Sequence, residues 1–120
     1  MGETKRVLVV EDDESIRECV QVILEDEGYD VIEASDGMAA LALLDTVWPD
    51  VILLDMLMPG MDGWAFAAAY RQRPGPHAPI VVITAARDAA ARADQIDAAG
   101  VLAKPFRVEA LVSCVNEITA

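Results

Sequence analysis

Val51-Ile52-Leu53-Leu54-Asp55-Met56-Leu57-Met58-Pro59-Gly60-Met61-Asp62-Gly63 is the stretch that decides the architecture. Its first four residues are aliphatic with no polar alternation, the pattern of a strand buried on both faces. The run then stops on a carboxylate that packing gives no reason to place there. A loop follows, marked by Pro59-Gly60 and Asp62-Gly63. The same device recurs on either side. Val7 to Val10 is followed by Glu11-Asp12-Asp13, Ile80 to Ile83 by Thr84, and Val101 to Ala103 by Lys104, while Val31-Ile32 makes a fifth short run.

Helix-period stretches separate these runs. Ile16, Cys19, Val20, Ile23 and Leu24 fall on one helical face, with Gly28 just past its end as a stop. Asp36-Gly37 opens a second helix through Leu44, and a third runs from about Trp64 to Arg71. Arg73 to Pro79 reads as a loop, and an Ala-rich helix is expected over roughly Asp88 to Ala98. The last helix carries Val108, Leu111, Val112, Val115 and Ile118 on one stripe. Strand and helix alternate five times, which implies a parallel sheet covered on both faces. The 120 residues suffice for one domain, expected over 1–120.

Composition narrows the function. Acids number 21 against 9 bases, a net charge of −12, and residues 1–36 alone hold 12 acids and 3 bases. That excess argues against binding nucleic acid or an anionic membrane through bulk charge. No apolar run approaches the ~18–20 residues that span a bilayer, and the N-terminus does not read as a signal peptide. Cys19 and Cys114 are too few for a disulfide framework, and with His77 they cannot form a metal tetrad. A reduced, cytoplasmic setting is expected. Cys19 is expected to be a buried inert thiol and Cys114 to lie on the margin of its stripe. Trp48 and Trp64 are expected to pack near the sheet rim, His77 to be solvated, and the remaining acids to form a solvated helix face.

In a parallel sheet all strand C-termini share one edge, where open α/β folds bind ligands. The sequence therefore aims Glu11, Asp12, Asp55, Thr84 and Lys104 at one cleft. Crowded carboxylates repel one another unless a cation or proton intervenes. Mg²⁺ suits them, since it takes one or two carboxylates, keeps waters and accepts phosphate oxygens. Lys104 is a point charge suited to a phosphoryl group, Thr84 a hydroxyl donor to it, and a carboxylate is a competent nucleophile for making an aspartyl phosphate.

Four ordered motifs carry a resemblance: Val9-Val10-Glu11-Asp12-Asp13, Leu53 to Gly63, Ile83-Thr84-Ala85 and Lys104-Pro105-Phe106. Together they resemble the receiver domain of two-component response regulators, from about Arg6 to the C-terminus. The resemblance implies a flavodoxin-like (βα)5 fold, a doubly wound five-stranded parallel sheet with strand order 2-1-3-4-5. It implies that Asp55 accepts a phosphoryl group from a histidine kinase or histidine phosphotransfer protein. Asp12 and Asp55 would ligate Mg²⁺ directly, Glu11 through water, and Leu57 through its backbone carbonyl, while Thr84 and Lys104 bind phosphoryl oxygens. The Lys104-Pro105 bond would be cis. Such a domain is a signalling module rather than an enzyme, catalysing only its own phosphorylation and dephosphorylation. An unknown downstream protein is the expected target, by a surface that includes Arg87, Arg92, Arg107, Asp94 and Asp97. A monomer or a weak phosphorylation-dependent dimer is expected. With Ala120 directly after the last helix, no output domain is expected.

Two positions depart from the family pattern. Many receivers have Tyr or Phe three residues before the final Lys, where this chain has Val101, so an aromatic swing is not expected. Leu57 and Ala86 stand two residues after Asp55 and Thr84, where family side chains arrange or block the attacking water. Neither can hold a water, and a long-lived phosphoryl group follows. Of the rival readings, an Mg²⁺-dependent phosphohydrolase of the haloacid-dehalogenase type would place an acid where Leu57 stands and would carry a cap. A flavin- or nucleotide-binding domain would need a Gly- or Ser/Thr-rich loop where Glu11-Asp12-Asp13-Glu14 stands. A scaffold with a vestigial site would not keep all five site residues.

Overall fold

A computed structural model describes residues 4–120, apart from the side chain of Ala86. The elements alternate as expected: β1 (Arg6–Val10), α1 (Glu14–Asp26), β2 (Asp30–Ala34), α2 (Gly37–Leu43), β3 (Val51–Asp55), α3 (Gly63–Arg71), β4 (Ile80–Ala85), α4 (Ala89–Gln95), β5 (Gly100–Lys104) and α5 (Val108–Thr119). All strand pairs are parallel, in the order β2-β1-β3-β4-β5. This is the flavodoxin-like doubly wound sheet. Register sets Val10 beside Leu54, Asp55 beside Ile83, and Thr84 beside Ala103, so the polar strand ends gather at one edge.

The unbroken apolar runs follow from two cores. Leu8, Val10, Ile52, Leu54, Ile80 and Val82 face Phe66, Ala67 and Tyr70 of α3, together with Ala40 and Ile96. The alternate residues Val7, Val9, Val51, Leu53, Val81 and Ile83 face Val20 and Leu24 of α1 and Leu111 and Val115 of α5. Each fully buried Val, Leu, Ile or Phe among them stabilises the fold by about 1.5–3 kcal/mol. Three helices start on an aspartate. Asp13, Asp36 and Asp62 accept the amides of Ile16, Ala39 and Ala65 at 3.1, 2.8 and 2.9 Å, caps worth about 1 kcal/mol each.

α4 is shorter than its alanine content suggests. A 3₁₀ turn at Ala86–Asp88 precedes it, and the helix gives way at Gln95. Asp97 takes a left-handed φ of 52°, and the Ala98 amide bonds back to the Ala93 carbonyl at 2.9 Å. Arg71, in the last turn of α3, closes this end by donating to the carbonyls of Ile96 and Asp97. The Lys104-Pro105 peptide is cis.

Two packing expectations fail. Cys19 is exposed rather than buried, because of its stripe only Val20 and Leu24 are fully covered by the sheet. It lies in a shallow groove with Ser15, Ile16, Pro105 and Phe106. Trp48 is 67% exposed, on the segment leading into β3. Among the described residues, no helix is long and apolar enough to cross a membrane.

Candidate functional site at the C-terminal edge of the sheet

Glu11 leaves the end of β1 with its side chain wholly buried. Its Oε2 accepts the Asp13 amide at 3.1 Å, and its backbone carbonyl accepts from Arg17 Nη1 at 2.8 Å. Asp55, the last residue of β3, is 5% exposed. Asp12 is exposed on the loop between β1 and α1. Glu11, Asp12 and Asp55 each offer an oxygen, all within 4.8 Å of one another. Lys104 reaches in from β5, its Nζ 2.7 Å from Glu11 Oε1 and 3.6 Å from Asp55 Oδ2.

Protonation follows from this crowding. Burial, then the adjoining Glu11 carboxylate, pushes the Asp55 carboxyl up to about 7; Lys104 and the Leu57 amide pull against them. Burial alone would lower Lys104, but the Glu11 and Asp55 carboxylates outweigh it and hold its pKa above the usual value. Glu11 Oε1 is buried, and Lys104 Nζ at 2.7 Å is the cation that faces it among the described residues. Three carboxylates gathered around a single ammonium fit a hard divalent cation that binds oxygen and adds positive charge. The Leu57 amide donates to Asp55 Oδ1 at 3.3 Å, while the Leu57 side chain is 55% exposed.

Thr84, the penultimate residue of β4, is 2% exposed. Its hydroxyl oxygen accepts from Arg92 Nη1 of α4, a contact not anticipated from sequence. Arg92 reads there as a charge on a partner-facing surface, and the 3₁₀ turn that sets its phase leaves no periodic signal. Gly63 was also legible only as a turn residue. A Cβ there would lie 2.7 Å from Met56 Cα and 3.1 Å from the Asp55 carbonyl oxygen. Only glycine lets α3 start this close to the end of β3, and the Gly63 amide donates to the Met56 carbonyl at 3.0 Å. The structure thus brings Glu11, Asp12, Asp55 and Lys104 into one cluster. It sets Thr84 at the adjoining strand end and the Leu57 main chain against Asp55. The Ala86 side chain lies outside the described residues.

Comparison with known proteins agrees with this geometry. A family model described as the response regulator receiver domain matches residues 7–116. The chain is 40% identical over 114 residues to the positive alginate biosynthesis regulatory protein of Pseudomonas aeruginosa, covering 92% of this chain and 46% of that protein. It is 34% identical over 114 residues to the DNA-binding response regulator MtrA of Mycobacterium leprae, covering 93% of this chain and 50% of that one. It therefore spans about half the length of these curated relatives. Among solved structures it is similar to a chemotaxis response regulator of Vibrio cholerae, with a TM-score of 0.88 and 34% identity over 97% of this chain and 99% of that one. It is also similar to the NtrX receiver domain of Brucella abortus, with a TM-score of 0.85 and 30% identity over 94% and 97% of the two chains. By sequence and by fold, this chain belongs to the response regulator receiver domain family.

Proposed function

We propose that the chain is a phosphoacceptor switch in a two-component relay, with Asp55 as the acceptor. One observation carries this reading. A buried carboxylate at a parallel sheet edge is flanked by two further carboxylates, all within 4.8 Å of one another, and by the ammonium of Lys104. Asp55 Oδ attacks the phosphorus of a phosphohistidine on a kinase or phosphotransfer protein. The P–N bond breaks, and the leaving imidazole nitrogen keeps the bond pair and takes up a proton. Such transfer depends chiefly on positioning and charge neutralisation. Lys104 turns from the carboxylates to the new phosphoryl oxygens, and the Thr84 hydroxyl donates to another.

Glu11, Asp12 and Asp55, with the Leu57 carbonyl, would hold Mg²⁺, which when bound offsets the charge of the carboxylates and the phosphoryl oxygens. The chain turns over no separate substrate and acts through changed contacts with a downstream protein, in a cytoplasmic setting. Incubation with Mg²⁺ and acetyl phosphate should add the mass of one phosphoryl group. The gain should disappear in Asp55→Asn and with a chelator. No gain in the wild type, or an undiminished gain in Asp55→Asn, defeats the reading; steady release of phosphate from free phosphomonoesters would instead favour a phosphohydrolase.

A further inference from the structure

Thr84 has one proton to donate and two lone pairs with which to accept. Its Oγ1 takes an N–H from Arg92. An arginine side chain has no acceptor, so the direction of this bond is fixed: the guanidinium donates and the hydroxyl oxygen accepts. The Thr84 proton is thus not spent on α4. The guanidinium is held on two further sides. Its Nη2 lies 3.2 Å from Asp88 Oδ2, and its carbon stands 5.8 Å from the centroid of the Trp64 ring at the start of α3. Trp64 Nε1 in turn donates to Gln95 Oε1 of α4 at 2.7 Å. With only 16% of its side chain exposed, Arg92 is a packed connection between a buried hydroxyl and an indole, not a solvated helix charge.

We propose that Arg92 is a positioning residue for Thr84. By occupying the acceptor side of the hydroxyl, it leaves the O–H to donate to a phosphoryl oxygen on Asp55, and it ties that donation to Trp64. The inference rests on the reading of Asp55 as phosphoacceptor. It places the link between site and surface on α4 and α3, whereas Val101 on β5, 39% exposed, offers neither donor nor acceptor. As Thr84 turns toward the phosphoryl group it draws the guanidinium from the face of the indole. The state of Asp55 is then read at Trp64.

The test uses the full chain with Trp48→Phe, which leaves Trp64 as the sole tryptophan of the two in the sequence. In that background the rate of mass gain with Mg²⁺ and acetyl phosphate is compared for the parent, Arg92→Ala, Thr84→Ala and the double variant. Losing one charge-assisted hydrogen bond should slow the parent about 5- to 10-fold. Where Thr84 is already alanine, the same change should slow it less than about twofold, because a positioning residue acts only through its partner. Trp64 emission should change on phosphorylation of the parent and stay constant in Arg92→Ala. Arg92→Lys, which keeps a donor on the same helix, guards against a folding defect and should recover most of the rate. Equal slowing by Arg92→Ala in both backgrounds, or constant Trp64 emission in the phosphorylated parent, overturns the proposal and leaves the Asp55 reading standing. A parent that gains no phosphate overturns both.

Discussion

Lys104 pairs with Glu11 more closely than with Asp55: its Nζ stands 2.7 Å from Glu11 Oε1 and 3.6 Å from Asp55 Oδ2. Before any phosphoryl group arrives, the lysine serves chiefly to neutralise a carboxylate that is fully buried. Lys104→Met strands that charge. Breaking a buried pair costs about 3–5 kcal/mol, and with Lys104 25% exposed solvent screening brings the expectation to about 2–3 kcal/mol. Adding Glu11→Gln should recover a good part of the loss. Urea unfolding in the presence of chelator reads both; a single variant as stable as the wild type would refute the assignment.

The raised Asp55 carboxyl makes stability depend on pH. An ordinary aspartate in the unfolded chain titrates near 3.8, and in the folded chain Asp55 is pushed up to about 7. Between these values the folded chain keeps a proton that the unfolded chain has lost, so this group's stabilisation is present below the lower value and lost as pH rises through the upper. Asp55→Asn removes the dependence. Without metal, the two proteins should have similar urea midpoints near about pH 4, and the variant should pull ahead by about pH 8. A gap that does not widen over this range contradicts the prediction.

Metal should act in the opposite sense. A cation bound only by the folded chain adds about 2.7 kcal/mol at a hundredfold excess over its Kd, so Mg²⁺ should raise the melting temperature of the wild type. Asp12 is exposed, so Asp12→Asn should leave metal-free stability within about 0.5 kcal/mol and abolish most of the Mg²⁺ gain. Thermal melts of both proteins with Mg²⁺ and with chelator decide it; an equal gain in the two removes Asp12 from the ligand set.

Gly63→Ala should destabilise without touching a charged group. The new methyl would sit 2.5 Å from Met56 Sδ and 2.7 Å from Met56 Cα, and the second of these is main chain that cannot swing aside. Overpacking of this kind costs about 1–3 kcal/mol. A melting temperature equal to that of the wild type would show that α3 can back away from β3.

Phosphoryl lifetime turns on Leu57, whose aliphatic side chain is 55% exposed and cannot hold a water by a hydrogen bond. On the Asp55 reading, Leu57→Asn should shorten the lifetime of the modified protein several-fold. Mass spectra collected after the phosphoryl donor is removed measure it, and unchanged decay would count against a role for this position.

The strand runs and most of the site are legible in the sequence for one physical reason. A polar residue that ends a doubly buried strand, such as Asp55 after Leu54 or Lys104 after Ala103, has only the sheet edge to occupy. Cys19 misleads because a 3.6-residue period fixes which face of a helix turns inward and not how wide the covered seam is. Arg92 is silent for a different reason. Its meeting with Thr84 depends on the 3₁₀ turn at Ala86–Asp88, and the helix beyond it stops at Gln95, just before the left-handed Asp97. Neither feature has a repeating pattern. Gly63 is written in the same letters as any turn glycine, and its closeness to Met56 exists only once α3 is docked.

The strand order has a mechanical side. β3 is hydrogen-bonded to β1 on one flank and β4 on the other, and every one of its residues is buried, whereas β5 lies at the sheet's edge with only Leu102 of its five residues buried. Asp55 is therefore mounted on an anvil that can shift only by breaking two ladders at once. Lys104 rides on a jaw fastened along one side. On the Asp55 reading, the lysine on its singly fastened jaw is the member of the pair free to give way when the charge on the anvil changes.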